Sequence, residues 1–540
     1  MTFGATTDSA TRRAVQPARR NPLANTGSAR KMLVIAVIVL AAIAVRLVFF
    51  KYQSGDYTAY FSRWYSYIKD NGGFSALKNN FANYNEPYLY LLAGLTYTPI
   101  PELAGIKLMS VVFDFLLGFF AYRIVNLRYP NRWWPILAGA LVLFLPTVVL
   151  NSSMWGQADS MYSAFGVGAV YFLLRRRPWL ACLFFGLAFS FKLQIIFLFP
   201  LLLLLVLRKY VPWRALLLIP GVYLVLEIPA LLVGASPSTL LSVYLTQTNT
   251  YDQLTLNAPN IYQYFSTTTS TVLRYGGIGL TGVLLLALII PAVVRRVELT
   301  PTRILLAGTV SVLLVPYFLP AMHERYFYLA DTLTVLSAFY LPRKLWALPI
   351  LEQFASLFSY LPFLLMTAGV RGSGARGAFP GGTGRFPAGG FPGGNSGGGY
   401  GGGGFPGGGN PGQAPTLPTP GTGSLPATGG SGGFGGGGAA GAAGRGGFGT
   451  STNTVVSFTI LSTVMLAALL LAVWVAVREF RRTNPVEPLD GTNPPPLAGD
   501  EAESTVGITS ESAKKPRDGA DQVAESTGQP VEKDSHVWGS

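Results

Sequence analysis

An aspartate at position 56 follows closely on an apolar run that ends at Phe50, within the string Gly55-Asp56-Tyr57. A carboxylate there stands where a first membrane span meets water, a position suited to a general base working at the bilayer surface. A solvated loop carboxylate would share that local sequence, so the neighbouring residues carry the weight. Arg63, Trp64, Tyr65 and Tyr67 follow, and then Tyr84-Asn85-Glu86-Pro87-Tyr88. These aromatics suit an interfacial belt or stacking against sugar rings.

Two further polar turns interrupt apolar sequence. The first is Asn151-Ser152-Ser153-Met154-Trp155-Gly156-Gln157-Ala158-Asp159. Asp159 can cap the helix that follows, but Gln157 beside Trp155 has no such explanation. The second is Met322-His323-Glu324-Arg325-Tyr326-Phe327-Tyr328. Histidine, glutamate and arginine in succession at a membrane boundary are costly unless paired or used. The planar fork of Arg325 fits phosphate oxygens, His323 can donate to a phosphate or titrate, and Lys192 adds a cation at a similar height. One histidine beside one glutamate lacks the ligand count of a zinc site. Ionisable residues also lie deeper, at Arg46, Asp114 and Glu227. They are expected to pair within the bundle, with Arg46 close enough to the boundary to help fix the charge of Asp56.

These residues need membrane helices to hold them. Half of the 540 residues are hydrophobic and 12% are charged, against roughly 25% charged in soluble proteins. Apolar runs near the ~20 residues that cross a bilayer recur through the first 370 positions. The net charge of +15 sits mostly in short clusters between those runs, which is how positive charge holds loops in the cytoplasm; nucleic-acid binding is not expected. The single cysteine, Cys182, excludes an intramolecular disulfide or a thiolate cluster.

Walking the basic clusters predicts an all-α polytopic protein with about twelve spans (11–13), near 32–50, 104–126, 133–150, 158–174, 179–191, 194–207, 214–234, 274–294, 303–320, 325–341, 345–369 and 452–477. Both termini then lie in the cytoplasm of a cell-membrane protein. The gaps 51–103, 151–157, 192–194, 235–273 and 321–324 face outward. The Pro-bounded run 88–100 is too short to span and is expected as an outer juxtamembrane or re-entrant element of the first external loop. Lys192 and Gln194 interrupt 179–207, which reads as one long helix or two short ones.

The domain plan is a basic leader at 1–31, a transmembrane catalytic domain at 32–370, a Gly/Pro-rich linker at 371–449, a final span at 450–478 and a tail at 479–540. Linker and tail have too little apolar surface to offset ordering entropy and are expected to be disordered, the linker outside and the tail inside.

Taken in order, the acid after the first span, the aromatic-Pro element, Trp155-Gly156-Gln157-Ala158-Asp159, the Lys192-Leu193-Gln194 break and the Met322–Tyr328 string resemble the bacterial relatives of the GPI mannosyltransferases. Those are integral-membrane glycosyltransferases of the GT-C class, and the likeness covers about residues 32–345. Glu86-Pro87 stands where the family has a double proline. The resemblance implies inverting transfer of a hexose, mannose above all, from a polyprenyl-phosphate donor to a lipid, glycan or protein acceptor outside the cytoplasm. Asp56 would be the base, and Arg325, His323 and Lys192 would bind the donor phosphate. Trp155, Gln157, Asp159, Glu86, Tyr84 and Glu324 would orient the substrate. No nucleotide-binding loop is present in a strand–helix context, as expected for a donor delivered within the membrane. The need for a divalent cation is left open. A transporter or flippase of a lipid-linked or polar substrate would explain the many spans equally, although no repeat of the span pattern accompanies them. A surface anchor displaying the glycine-rich coil would need only one span.

Overall fold

A computed structural model describes residues 22–248, 251–369 and 457–482, with side chains for 29–248, 251–365 and 457–482. The expected linker, the leader before Pro22 and the tail beyond Arg482 lie outside the described residues.

The described chain is overwhelmingly helical. In order it forms α1 (Pro22–Phe49), α2 (Ser62–Asp70), α3 (Glu86–Leu95), α4 (Glu102–Arg128), α5 (Trp134–Phe144), α6 (Pro146–Val149), α7 (Asp159–Leu174), α8 (Pro178–Phe191) and α9 (Phe199–Leu207). There follow α10 (Leu218–Leu232), α11 (Pro237–Thr248), α12 (Thr271–Val294), α13 (Pro301–Phe318), α14 (Tyr328–Tyr340), α15 (Pro342–Leu345), α16 (Leu348–Gly369) and α17 (Phe458–Arg481). Helices dominate because a helix satisfies its backbone polar groups internally, as hydrocarbon surroundings demand.

Each of the twelve expected runs coincides with helix. Among the described residues, seven helices are long and apolar enough to cross a membrane, or eight if α5 and the bent segment Pro146–Trp155 count as one. The chain is thus a polytopic helical membrane protein. The other runs are short: α7 has 16 residues, α8 has 14, α14 has 13 and α9 has 9. The run 88–100 yields α3, whose 10 residues span about 15 Å, half of a ~30 Å hydrocarbon core.

Proline and polar residues set the breaks that matter for the site. Leu145, before Pro146, is held extended with ψ 127°, and the two halves meet at 51°. Beyond it the chain makes a π-helical turn over Leu150–Trp155, which ends at Gly156 with φ +80°. Only glycine takes that left-handed conformation without strain. The 179–207 region is two short helices, because Lys192 adopts extended backbone (φ −153°, ψ 139°) between α8 and a 3₁₀ stretch over Leu193–Leu198.

Two buried cations tie α1 into the bundle. Lys107 donates from Nζ to the carbonyls of Phe49 at 2.8 Å, Phe50 at 3.2 Å and Tyr52 at 2.5 Å. It thus satisfies carbonyls orphaned at the end of α1 and complements the helix dipole there. Arg46 donates from Nε to Asp114 Oδ2 at 2.9 Å and to the Ala42 and Leu143 carbonyls. The expected pairing inside the bundle therefore joins Arg46 to Asp114. Asp56 gets no ion pair from Arg46, whose buried guanidinium reaches its counter-charge at its own depth. Glu227 joins neither.

Candidate active site

The local anchoring of α1 delivers Asp56 to the end of the 150–157 turn. Ser54 donates from Oγ to the Trp155 carbonyl at 2.7 Å and accepts from the Tyr57 backbone N–H at 3.1 Å. Asp56 then leads into a π-helical turn over Tyr57–Phe61. Its Oδ2 accepts from Trp155 Nε1 at 3.0 Å and from the Gln157 side-chain amide. Both donors meet one oxygen, and among the described residues no hydrogen bond is formed to Oδ1.

Trp155 is fully buried, and its indole is fixed on several sides. Phe363 stacks on it at 4.9 Å between ring centres, Tyr360 meets it edge-on at 5.4 Å, and the Arg325 guanidinium lies 5.3 Å from the ring centre. An indole so confined can aim its N–H in one direction only, toward Asp56.

A second carboxylate anchors the cations. Asp159 Oδ1 accepts from Lys192 Nζ at 2.5 Å, and Oδ2 accepts from Asn151 Nδ2 at 2.8 Å. Arg325 Nε lies 3.9 Å from the same Oδ2, while its other arm donates to Glu324 Oε1 at 2.9 Å. Glu324 Oε2 stands 3.7 Å from His323 Nδ1. Among the described residues buried Nε of Arg325 has no hydrogen-bond partner, so the guanidinium retains a donor for an incoming anion. Lys192 also lies 5.9 Å from the ring centre of Tyr84.

The His-Glu-Arg turn is held by a small parallel pairing. Thr255 and Leu256 (β1) pair with Met322 and His323 (β2) in register Thr255↔Met322 and Leu256↔His323. Tyr251 then meets the His323 ring edge-on at 5.1 Å. From the other side, Ser359 Oγ of α16 donates to the Glu324 carbonyl at 3.2 Å.

Charge and burial tune these groups. Burial pushes the His323 imidazole below its ordinary range, and Arg325 beside it adds to the effect, against the pull of Glu324. A neutral imidazole at pH 7 follows. Lys192 is likewise depressed by burial, with Asp159 opposing. Arg325 moves upward because Glu324, Asp56 and Asp159 outweigh its desolvation. Glu324 falls below the usual carboxylate range, since His323 and Arg325 overcome burial.

The five gaps at 51–103, 151–157, 192–194, 235–273 and 321–324 therefore each contribute to one cluster: Asp56 and Tyr84, Trp155 and Gln157, Lys192, Tyr251, and His323 with Glu324; Asp159 and Arg325 adjoin two of them. Glu86 is drawn elsewhere. Its buried carboxyl sits beside Glu227 of α10, burial pushes it up to about 8 and Glu227 adds to that. Among the described residues it has no hydrogen bond or ion pair to Asp56, Asp159 or Arg325. Glu86, expected to orient substrate, thus lies with Glu227 rather than among the residues bonded to Asp56 and Asp159: α3 enters the bundle with its first turn turned toward α10. Asn151, Tyr251 and Lys107 join the arrangement without having been singled out by sequence. Asn151 lay within the polar turn, whereas Tyr251 and Lys107 carry no local signal.

Among the described residues no group of three or more His, Cys, Asp or Glu side chains is placed to hold a metal. An apolar crevice of about 250 Å³ between α9, α12, α13 and α17 shares no residue with the cluster. No protein-family model matches the chain, and no curated protein matches it.

Proposed function

We propose that this chain is a GT-C-type membrane glycosyltransferase that moves a hexose, with mannose as first candidate, from a polyprenyl-phosphate sugar to an acceptor outside the cytoplasm. The observation that carries this reading is the convergence on Asp56 of Trp155 and Gln157, with Arg325 packed over the same indole. Two short strings about 165 residues apart in sequence thus meet at the indole that donates to this carboxylate. In this reading about twelve helical segments build the membrane domain, both termini are cytoplasmic and the cluster opens outward.

Two hydrogen bonds to Oδ2 leave Oδ1 as the oxygen that accepts a proton. The acceptor hydroxyl gives that proton to Asp56 as its oxygen bonds to the sugar C1 from the face opposite the phosphate. The C1–O bond to phosphate breaks and its electron pair leaves on the lipid phosphate, so the anomeric configuration inverts. Arg325, through its unpartnered Nε, stabilises the charge that develops there. Neutral His323 donates one hydrogen bond, and Lys192 holds Asp159 rather than the phosphate. The ion pairs at Asp159 and Glu324 keep the guanidinium in place.

Purified protein incubated with radiolabelled polyprenyl-phosphate mannose and membrane lipids should yield labelled lipid, glycan or protein product. Absence of transfer from mannose and from every other polyprenyl-phosphate hexose would overturn the assignment and favour a transporter or flippase.

A further inference from the structure

Beneath Trp155 lies a second group of acids that the proposed chemistry does not use. Glu352, Ser356 and Tyr360 recur every four residues on α16 and so share one face. That face meets Asp331 on α14. Glu352, Thr147, Ser356 and Gln353 stand around the Asp331 carboxyl, and Tyr360 closes the group beside Ser356. Asp331, Glu352, Ser356 and Tyr360 are each 0% exposed.

Among the described residues six oxygens here have no partner in good hydrogen-bond geometry, although their side chains lie within reach of one another: both of Asp331, both of Glu352, Ser356 Oγ and Tyr360 OH. Neither carboxyl forms an ion pair among the described residues. Buried polar atoms are normally satisfied, and two facing carboxylates away from water are among the costliest arrangements in a membrane bundle. One proton shared between the acids would serve two of the six oxygens. A cation held between the two carboxylates accepts lone pairs from both without needing a donor.

We propose that Asp331, Glu352, Ser356 and Tyr360 bind one hard divalent cation of the calcium class. The donors are all oxygen, which selects hard cations over zinc or copper. Two carboxylates match a divalent charge, and six oxygens match the lower end of calcium coordination. Magnesium, which keeps several waters, suits a dry inter-helical site less well. The ion would clamp α14 to α16, the helix that supports Trp155 through Tyr360 and the Glu324 carbonyl through Ser359. It is a site distinct from Asp56, and it does not depend on the transferase reading.

The test uses full-length protein in detergent, stripped with EDTA and titrated with calcium chloride, with bound metal measured by mass spectrometry and unfolding by heat. About one calcium per chain should bind to the native protein and to Asp56→Asn, raising the unfolding temperature of both. Glu352→Gln should bind at least tenfold more weakly. Should that variant fail to fold, Ser356→Ala, which removes one neutral ligand, should weaken binding severalfold. Calcium-independent unfolding of the native protein would overturn the proposal in favour of a shared proton. Equal binding by Glu352→Gln and Ser356→Ala would overturn it in favour of a site elsewhere.

Discussion

Asp56 and Asp114 are both aspartates held against the 150–157 turn, and their surroundings differ in one respect. Asp114 is fully buried and occupied on both oxygens: Oδ2 accepts from Arg46 at 2.9 Å and Ser152 at 2.6 Å, and Oδ1 from Tyr328 at 3.5 Å. Asp56 is half-buried, takes both of its donors on Oδ2 and, among the described residues, has no counter-ion within ion-pair distance. A saturated carboxylate holds structure together. One with a free oxygen and a fixed orientation can take a proton. The same residue type thus serves two ends, and the count of unmet lone pairs separates them.

The sharpest way to break this contrast is exchange of each acid for its amide. Asp56→Asn should lower sugar transfer by about 10²–10⁴-fold, the usual worth of a general base, with thermal unfolding unchanged. A fully active variant would remove Asp56 from the mechanism. Asp114→Asn should act in the opposite sense. It leaves the Arg46 guanidinium buried without its counter-charge, a loss of about 3–5 kcal/mol, read as a fall in unfolding temperature in detergent. If the two variants behave alike, the distinction between them is wrong.

Trp155→Phe sharpens the same contrast from the donor side. The ring that packs on Phe363 and Tyr360 is largely retained while the N–H to Asp56 is lost. Hydrogen bonds to charged groups contribute about 1.5–3 kcal/mol, so kcat should fall about 10–100-fold with the donor KM nearly constant. A change confined to KM would show that the indole binds sugar rather than orients the base.

The smallest expected effect concerns Glu86. Its carboxyl is pushed up to about 8, so between pH ~4.5 and ~8 the folded chain retains a proton that the unfolded chain has released. Stability from this group is therefore complete at acid pH and is lost as pH rises through that window. Glu86→Gln should flatten the decline by at least about 1.4 kcal/mol, the equivalent of one pH unit of displaced titration. An unchanged pH–stability curve would place Glu86 in contact with water.

What could be read from the sequence follows cost. Asp56, Trp155, Gln157, Asp159, His323 and Arg325 stood out because polar and ionisable side chains between apolar runs are expensive, and all six meet in one cluster. Helix positions were legible for the same reason, since long apolar runs have few other forms. Partner choice was not. Arg46 lies ten residues before Asp56, yet its arm turns inward to Asp114 on another helix. Glu86 shares an aromatic string with Tyr84, yet the extended Asn85 between them and the start of α3 carry it to Glu227. Lys107 looked like an ordinary basic residue near a helix start, and only the carbonyls at the end of α1 give it a task. Such pairings depend on how helices rotate against one another, which hydropathy along one chain does not record.

The two-residue parallel pairing of Thr255–Leu256 with Met322–His323 acts as a ruler for the long connection before it. Side chains alternate along a strand, so a slip of one residue would send His323 to the opposite face, away from Tyr251 and Glu324. Insertions near the start of the 235–273 segment only lengthen a loop, which costs little. A single residue added between Tyr251 and Thr255 would instead move the tyrosine off the imidazole. Loop engineering at this protein therefore has a permissive end and a forbidden one, and the boundary between them lies within four residues.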